Sequence, residues 1–263
     1  MLKTTEIDKD IQFLAKSEIR MLILNELQKQ PRTIREISKL TGIAYSSISN
    51  NMAKLQENQH IIKTKTKYKI TPITEMKYKN MLDFKQSVDL INDYKKLWNK
   101  HNIDYLSLES IKNISELTDV QLIETTPIDI YKTHNIIRNQ ISETNTLHAV
   151  FPYLHPEYPE LIENILRNGG SVEMIIPKNI YNEIVLEIDT KIRRESMKNG
   201  NLKVYATDQE ISLYLTLCDN SMSLGLFKTD GSFDQNRILI SNNEKSQNWA
   251  SDLFNYTKKN VIP

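Results

Sequence analysis

Apolar side chains recurring at three- and four-residue spacings mark three helical segments near the start of the chain. Ile11, Leu14, Ala15, Ile19, Leu22, Ile23 and Leu27 define one face of a first helix, with Asp8 as its N-cap and Pro31 as its stop. Thr33 caps a short second helix, Glu36 completes a capping box, and Ile34, Ile37 and Leu40 turn inward. Gly42 supplies the left-handed residue of the Thr41-Gly42-Ile43 turn. A third helix covers residues 44–58, with Ile48, Met52 and Leu55 facing the core. Tyr45, Ser46, Ser49, Asn50 and Lys54 are left outward.

The period then changes. Residues 61–70 alternate as a hairpin that brings Lys63, Lys65, Lys67 and Lys69 around a turn. From Pro72 to about His101 there is no further glycine or proline, enough for a helix of about 43 Å. Met81, Phe84, Val88, Ile91 and Trp98 form its stripe, interrupted by Lys95, and Leu82, Leu90, Tyr94 and Leu97 widen it. A stripe this wide packs either on its own domain or on the same helix of a second subunit.

Beyond Asp119 short apolar runs at 120–123, 147–151 and 172–176 read as buried strands, separated by amphipathic helices at 131–142 and 156–168. Strand-helix-strand alternation predicts parallel pairing with right-handed crossovers. Segments at 202–206, 211–217 and 221–227 are closely spaced and read as antiparallel, Asp230-Gly231 turns toward a strand at 237–241, and a last helix at 244–259 carries Trp249, Leu253 and Phe254. The expected architecture is mixed α/β in three parts: a winged helix-turn-helix over residues 1–72, a helical connector over 73–118 and an α/β domain over 119–263.

Helix, short helix, glycine turn and helix followed by a basic hairpin is the pattern of a DNA reader whose last helix enters the major groove. It nominates Thr33, Tyr45, Ser46, Ser47, Ser49, Asn50, Lys54, Lys63, Lys65, Lys67 and Lys69 as DNA-binding residues. A trihelical unit is also a common protein-interaction module, and lysine-rich hairpins also protect edge strands, so it is the conjunction that points to double-stranded DNA. Charge distribution supports it. Formal net charge is only +1, yet residues 1–80 hold 15 Lys and Arg against 8 Asp and Glu, and residues 81–263 hold 19 against 25. Only the front of the chain suits phosphate. The outward face of the third helix carries no arginine, so affinity is expected to come largely from the hairpin and from a second copy of the motif in a homodimer.

Composition, at 39% hydrophobic and 25% charged, is ordinary for a globular protein. No apolar run approaches the roughly 20 residues needed to cross a bilayer, and a start as charged as MLKTTEIDKD does not suit a secretory signal, so a cytoplasmic protein without membrane contact is expected. One cysteine, Cys218, excludes an internal disulfide and any paired-cysteine zinc site. In α/β sheets small ligands bind outside the carboxyl ends of parallel strands, which nominates Thr125, Thr126, Asp129, Tyr153, His155 and Lys178 for an effector. The same prolines and hydroxyls also serve to stiffen and turn loops.

The strings LIETTPIDIY, AVFPYLHPEYPELI and LGLFKTDGSFDQNRILISNNEKSQNWASDLF resemble the effector domain of the Fil-type methanogenesis regulatory proteins, winged-helix regulators of methanogenic archaea, and the resemblance extends over nearly the whole chain. It implies sequence-specific transcription regulation and a C-terminal domain similar in fold to phospholipase D-like domains. For part of the family it also implies a regulatory pathway connected to an acyl-homoserine-lactone-type signal. A phosphodiesterase of that fold needs His-x-Lys pairs, whereas His60, His101, His134, His148 and His155 are followed two positions on by Ile62, Ile103, Ile136, Val150 and Glu157. No phosphate loop, Gly-x-Ser-x-Gly elbow or His-Glu-x-x-His helix is present. No catalytic residue, cofactor or metal site is therefore expected, and convergence of His134 and His155 with Glu124 or Asp129 is disfavoured. The alternative to a regulator is an architectural or scaffold protein whose α/β domain serves only dimerisation or docking.

Overall fold

The computed structural model describes residues 9–261, so the expected cap Asp8 lies outside the described residues. Two compact units meet in the sequence between Gln86 and Ser87. The first begins with α1 (Lys9–Ala15), α2 (Glu18–Lys29), α3 (Ile34–Thr41) and α4 (Tyr45–Glu57). An antiparallel hairpin, β1 (Ile61–Thr64) and β2 (Lys67–Ile70), follows, and then α5 (Pro72–Asp93), which runs past the boundary.

The single first helix expected from spacing is in fact two. Ser17 caps α2, its side chain accepting from the Arg20 N–H. Leu14 and Ile23 are both fully buried, yet nine residues along one continuous helix would set them about 180° apart. Breaking the helix at Ser17 brings both faces to one core, while Ile11 and Leu22 stay exposed. That core joins Leu14, Ile23, Leu24 and Leu27 to Ile37, Ile48, Met52, Leu55, Ile61, Tyr68 and Tyr78. Leu40, expected inside, is exposed in the last turn of α3, which buries only Ile37.

The long helix also stops early. Tyr94 leaves helical geometry at φ −105°, ψ 23°, and α6 (Lys95–Trp98) restarts as a short turn. The Tyr94 hydroxyl donates to the Val120 carbonyl at 2.6 Å, and Leu90, Tyr94, Leu97 and Trp98 join a core of the second unit. The wide stripe is thereby divided. Met81 and Leu82 pack on the core of the first unit, and Phe84, Val88 and Ile91 remain exposed.

The second unit continues with α7 (Leu108–Lys112), β3 (Gln121–Glu124), α8 (Lys132–Ser142), β4 (Thr146–Val150), α9 (Tyr158–Arg167) and β5 (Ser171–Pro177). It is completed by α10 (Thr190–Asn199), β6 (Leu202–Thr207), β7 (Leu213–Cys218), β8 (Ser221–Leu226), β9 (Arg237–Ser241) and α11 (Glu244–Val261). The seven strands form one mixed sheet in the order β3-β9-β8-β7-β4-β5-β6. Pairing of β4 with β5 is parallel, as the alternation predicts, and β7 pairs antiparallel with β8 as expected, but β6, read as antiparallel with its successors, instead pairs parallel with β5 at the sheet edge, because α10 carries the crossover between them. The strand β3 departs from the alternation. It pairs antiparallel with β9 at the sheet edge, and β9, β8 and β7 stand between it and β4. One apolar cluster holds Ile137 and Ile141 of α8 with the buried face of α9, and a second holds Trp249, Leu253 and Phe254 of α11 with Leu106 and Ile114. Helix α10 escapes detection by hydrophobic spacing because its one buried residue is Ser196; Asp189 starts it by accepting from the Lys191 and Ile192 N–H groups.

The turn from α9 into β5 is a stringent point. A Cβ on Gly170 would lie 2.2 Å from the Asn145 carbonyl oxygen, whereas one on Gly169, at φ +80°, would meet nothing within 4 Å. Gly170→Ala should therefore destabilise by about 2 kcal/mol or more through forced backbone movement. Gly169→Ala should cost about 1 kcal/mol, the left-handed penalty alone. Urea unfolding of both variants checks this, and equal losses would contradict it.

Candidate nucleic-acid interface and effector edge

Helix α3 is held at its start by a complete capping box. The Glu36 N–H donates to Thr33 Oγ1 at 3.2 Å and the Thr33 N–H to Glu36 Oε2 at 2.6 Å. The Thr33 backbone bond, reinforced by its hydroxyl, holds the Glu36 carboxyl below the usual carboxylate range. Thr33 is thus committed to the cap, so its place among the nominated DNA-binding residues rests on position alone. Gly42, at φ 71°, ends α3, and the Ser38 hydroxyl donates to the Ile43 carbonyl at 2.6 Å to close the turn. No side chain caps α4, whose N-cap is Ala44, so its first N–H groups are left for an outside acceptor. Ile48, Met52 and Leu55 face inward, and Tyr45, Ser46, Asn50 and Lys54 are exposed. Ser47 and Ser49 are half-buried.

In the hairpin Ile61 faces Ile70, Ile62 faces Lys69, Lys63 faces Tyr68 and Thr64 faces Lys67. Strand alternation then separates the four lysines that the spacing bunches together. Lys67 and Lys69 share the face turned from the core with Thr64 and Ile62, Lys63 lies on the other face with its ammonium 5.5 Å from the Tyr68 ring, and Lys65 sits at the tip. The tip is a two-residue turn in which Lys65 has φ 56°. Arg32 adds one rung beyond β2: its N–H donates to the Tyr68 carbonyl at 3.0 Å and its carbonyl accepts the Tyr68 N–H at 2.8 Å.

Charge commitments divide the cations of this unit. Lys29 and Arg32 pair with Glu26, Lys77 with Asp10 and Lys79 with Glu75. Among the described residues Lys54, Lys63, Lys65, Lys67 and Lys69 make no ion pair, and neither do Arg35 and Lys39 on α3. Those two were not singled out by motif, although the local charge excess includes them. Unpaired, solvated cations are the ones that release counterions on meeting phosphate. Lys67→Gln with Lys69→Gln should shallow the salt dependence of duplex binding by about 0.9 in log–log slope for each phosphate no longer neutralised. Lys65→Asn should act likewise without disturbing the turn, since asparagine tolerates positive φ. Filter-binding or fluorescence titration across salt concentrations checks both, and unchanged slopes would remove the hairpin from the interface.

At the carboxyl edge of the sheet the six nominated effector residues do not form one group. Thr125 is tied to Asn236, its N–H donating to the carbonyl at 3.0 Å and its hydroxyl to Oδ1 at 3.1 Å. Thr126 and Asp129 close a tight turn, the Asp129 N–H lying 3.1 Å from Thr126 Oγ1. They follow β3, four strand positions from β4, on the order of 19 Å at ordinary strand spacing. Lys178 is exposed and ion-paired with Asp208. Tyr153 and His155 do share a neighbourhood: Tyr153 packs 4.7 Å from Phe233, and both rings contact Tyr158. The insertion of β9, β8 and β7 is what separates Thr125, Thr126 and Asp129 from them.

The His134 and His155 rings stack at 3.9 Å, and His134 Nε2 lies 2.7 Å from Glu157 Oε2, so the two histidines converge with Glu157 and not with Glu124 or Asp129. Burial, then the neighbouring His134, hold the His155 imidazole below its usual range. Ligand atoms of the three residues lie within 4.8 Å of one another. Stacked rings, however, direct their in-plane lone pairs side by side, and His155 Nδ1 already accepts the Glu157 N–H at 3.2 Å. As arranged, the group is a hydrogen-bonded stack.

Deeper in the same unit, His101 and Asp234 form a buried pair. His101 Nε2 lies 2.9 Å from Asp234 Oδ2, and Nδ1 lies 2.7 Å from the Leu97 carbonyl. Burial alone would raise the Asp234 carboxyl, but bonds from His101, the Asn236 N–H and Arg237 overcome it and leave it below its ordinary value. A carboxyl depressed in the folded state stabilises at neutral pH and loses that contribution as pH falls through its folded pKa. Asp234→Asn should lose about 2 kcal/mol at pH 7, because the bonds that the carboxylate accepts from the Asn236 N–H and Arg237 and its contact with His101 are weakened, and should unfold with a shallower acid dependence below about pH 4. Parallel pH–stability curves for both proteins would contradict this.

Comparisons with known proteins follow the same division of the chain. Residues 8–93 match the family described as "HVO_A0261 N-terminal domain", and residues 130–260 match "Methanogenesis regulatory protein FilR1, middle domain". The methanogenesis regulatory protein FilR1 of Methanothrix harundinacea (strain 6Ac) is 20% identical over 256 residues, covering 94% of this chain and 56% of that protein. The chain therefore spans little more than half the length of the curated relative it matches. Its resemblance to the Fil-type methanogenesis regulatory proteins is shown by these matches. Among solved structures, the archaeal chromatin protein TrmBL2, described as showing a novel mode of DNA binding, aligns over 97% of both chains at 11% identity with a TM-score of 0.42. The phosphatidylserine synthase of Haemophilus influenzae Rd KW20 aligns over 54% of this chain and 39% of its own at 16% identity with a TM-score of 0.37. Structural likeness at that level carries no weight for fold or function.

Proposed function

We propose that this chain, FilR1-like in its second part, is a sequence-specific DNA-binding transcription regulator without enzymatic activity. One observation carries the reading: the first turns of α4 present an uncharged polar face, uncapped at its start, beside a hairpin whose four lysines make no ion pair among the described residues. In this reading residues 9–70 act as a winged helix-turn-helix. The α4 residues Tyr45, Ser46, Ser49 and Asn50 touch base edges, while Lys54, the hairpin lysines, Arg35 and Lys39 hold the backbone of double-stranded DNA. The protein acts as a homodimer, for which Phe84, Val88 and Ile91 on α5 offer exposed apolar contacts, and the α/β unit senses an effector.

The setting is the cytoplasm; no helix among the described residues is long and apolar enough to cross a membrane. A scaffold role for the α/β unit is the competing reading, and it leaves the free cations of the first unit without a task. Ser46→Ala and Asn50→Ala should change the ranking of duplexes in a binding-site selection, each base hydrogen bond removed weakening its preferred site by about 1–3 kcal/mol. Equal weakening on every duplex would show that α4 does not read bases. Absence of duplex binding by the full chain would refute the regulator reading itself.

A further inference from the structure

The nominated effector residues scatter, but a different cleft in the second unit gathers several cations. It has a volume of about 450 Å³ and is framed by residues 92–97 and Lys100 on one side and by Leu122, Glu124 and Arg237 on the other. We propose that it binds a small organic molecule bearing two closely spaced negative charges, as a phosphoryl group or a dicarboxylate does.

Charge and geometry both favour a dianion. Four lining cations, Lys95, Lys96, Lys100 and Arg237, face two lining carboxylates, Asp93 and Glu124. The three lysines make no ion pair among the described residues, and Glu124 is already spent on Arg237. That arginine is the organised element. Its Nε donates to Glu124 at 2.7 Å and its Nη1 to Asp234 at 3.1 Å, and Asp234 is itself fixed by the buried His101 and by the Asn236 N–H. Two carboxylates therefore hold the guanidinium plane in place, and its Nη2 donors have no partner among the described residues. A guanidinium held in this way and backed by flexible ammonium groups is suited to oxyanions, since little side-chain freedom remains to be lost on binding. Tyr94, Leu97 and Leu122 supply an apolar floor for the organic part of the ligand.

The position also suggests what occupancy does. Residues 92–100 follow directly on α5, the helix that starts at Pro72. A ligand bridging that stretch to β3 and β9 would fix the end of the helix, which gives it unequal affinity for two states of the protein, the condition for shifting DNA binding. This last step rests on the regulator reading; binding in the cleft does not.

The test is calorimetric titration of the full chain with glycerol 3-phosphate and, separately, succinate, against potassium chloride at matched ionic strength. A saturable isotherm for either anion, weakened about tenfold or more in Lys95→Gln/Lys100→Gln, is expected. These lysines are exposed, so the variant should keep its unfolding midpoint and serve as a clean control. Saturation by one anion only identifies which oxyanion the cleft takes. Heats no different from potassium chloride, or an affinity unchanged in the double variant, would overturn the proposal. Duplex titration of the same protein separates the two readings: DNA binding without anion binding fails the cleft alone, and anion binding without DNA binding fails the regulator alone.

Discussion

The central strands of the second unit are buried on both faces, and the rest of that unit answers this constraint. Every residue of β8 is buried, as are all but one of β7, and strands in that environment need apolar cover above and below. Helices α8 and α9 provide one layer, and α11 with the turns around Leu106 and Ile114 provides the other. The second layer also needs the end of the long helix. Leu90, Tyr94, Leu97 and Trp98 belong to it, so packing on the sheet is what ends α5 at Asp93 and bends the chain at Tyr94.

The same bend has a polar consequence. Bringing residues 97–102 against the β8–β9 loop buries His101 beside Asp234, and the chain there pairs as a short bridge, Asn102 donating to the Phe227 carbonyl at 2.8 Å. A buried, hydrogen-bonded pair of this kind tolerates little geometric change, because removing one partner leaves the other's polar atom buried without its bond. It anchors Arg237 as well, which is how a structural contact comes to orient a surface guanidinium. Structural and binding roles are here consecutive links of one hydrogen-bonded chain: Leu97 carbonyl, His101, Asp234, Arg237, Glu124.

In the first unit the governing feature is which charges are already neutralised. Glu26 alone takes both Lys29 and Arg32, and Asp10 takes Lys77. Carboxylates thus pair with cations of α2 and α5, while among the described residues the cations of α3, α4 and the hairpin make no ion pair. Counterion release scales with the number of free cations that meet phosphate, so the useful charge is a subset of the total.

Local chemistry was legible in the sequence where it is self-contained. The capping box of Thr33 and Glu36, the left-handed Gly42, the inward Ile48, Met52 and Leu55 and the presence of the hairpin, though not its register, all involve residues within a few positions of one another. The parallel β4-β5-β6 ladder belongs to the same class for its first pair, since a strand, a helix and a strand in succession leave few ways to close. Decisions made over long separations were not legible. Whether Leu14 and Ile23 share a face depended on a break at Ser17, and whether α5 reached His101 depended on a carbonyl at Val120. The effector set failed for the same reason: hydrophobic runs identify strands but not their neighbours, and inserting β7, β8 and β9 between β3 and β4 moved Thr125, Thr126 and Asp129 away from Tyr153. Sequence by itself determined the elements, the charge asymmetry and the family resemblance, because these reside in nearest-neighbour spacing and composition. Only the tertiary structure decided which cations stay unpaired and which loops converge, because both depend on strand order and on partners more than a hundred residues apart, such as His101 and Asp234.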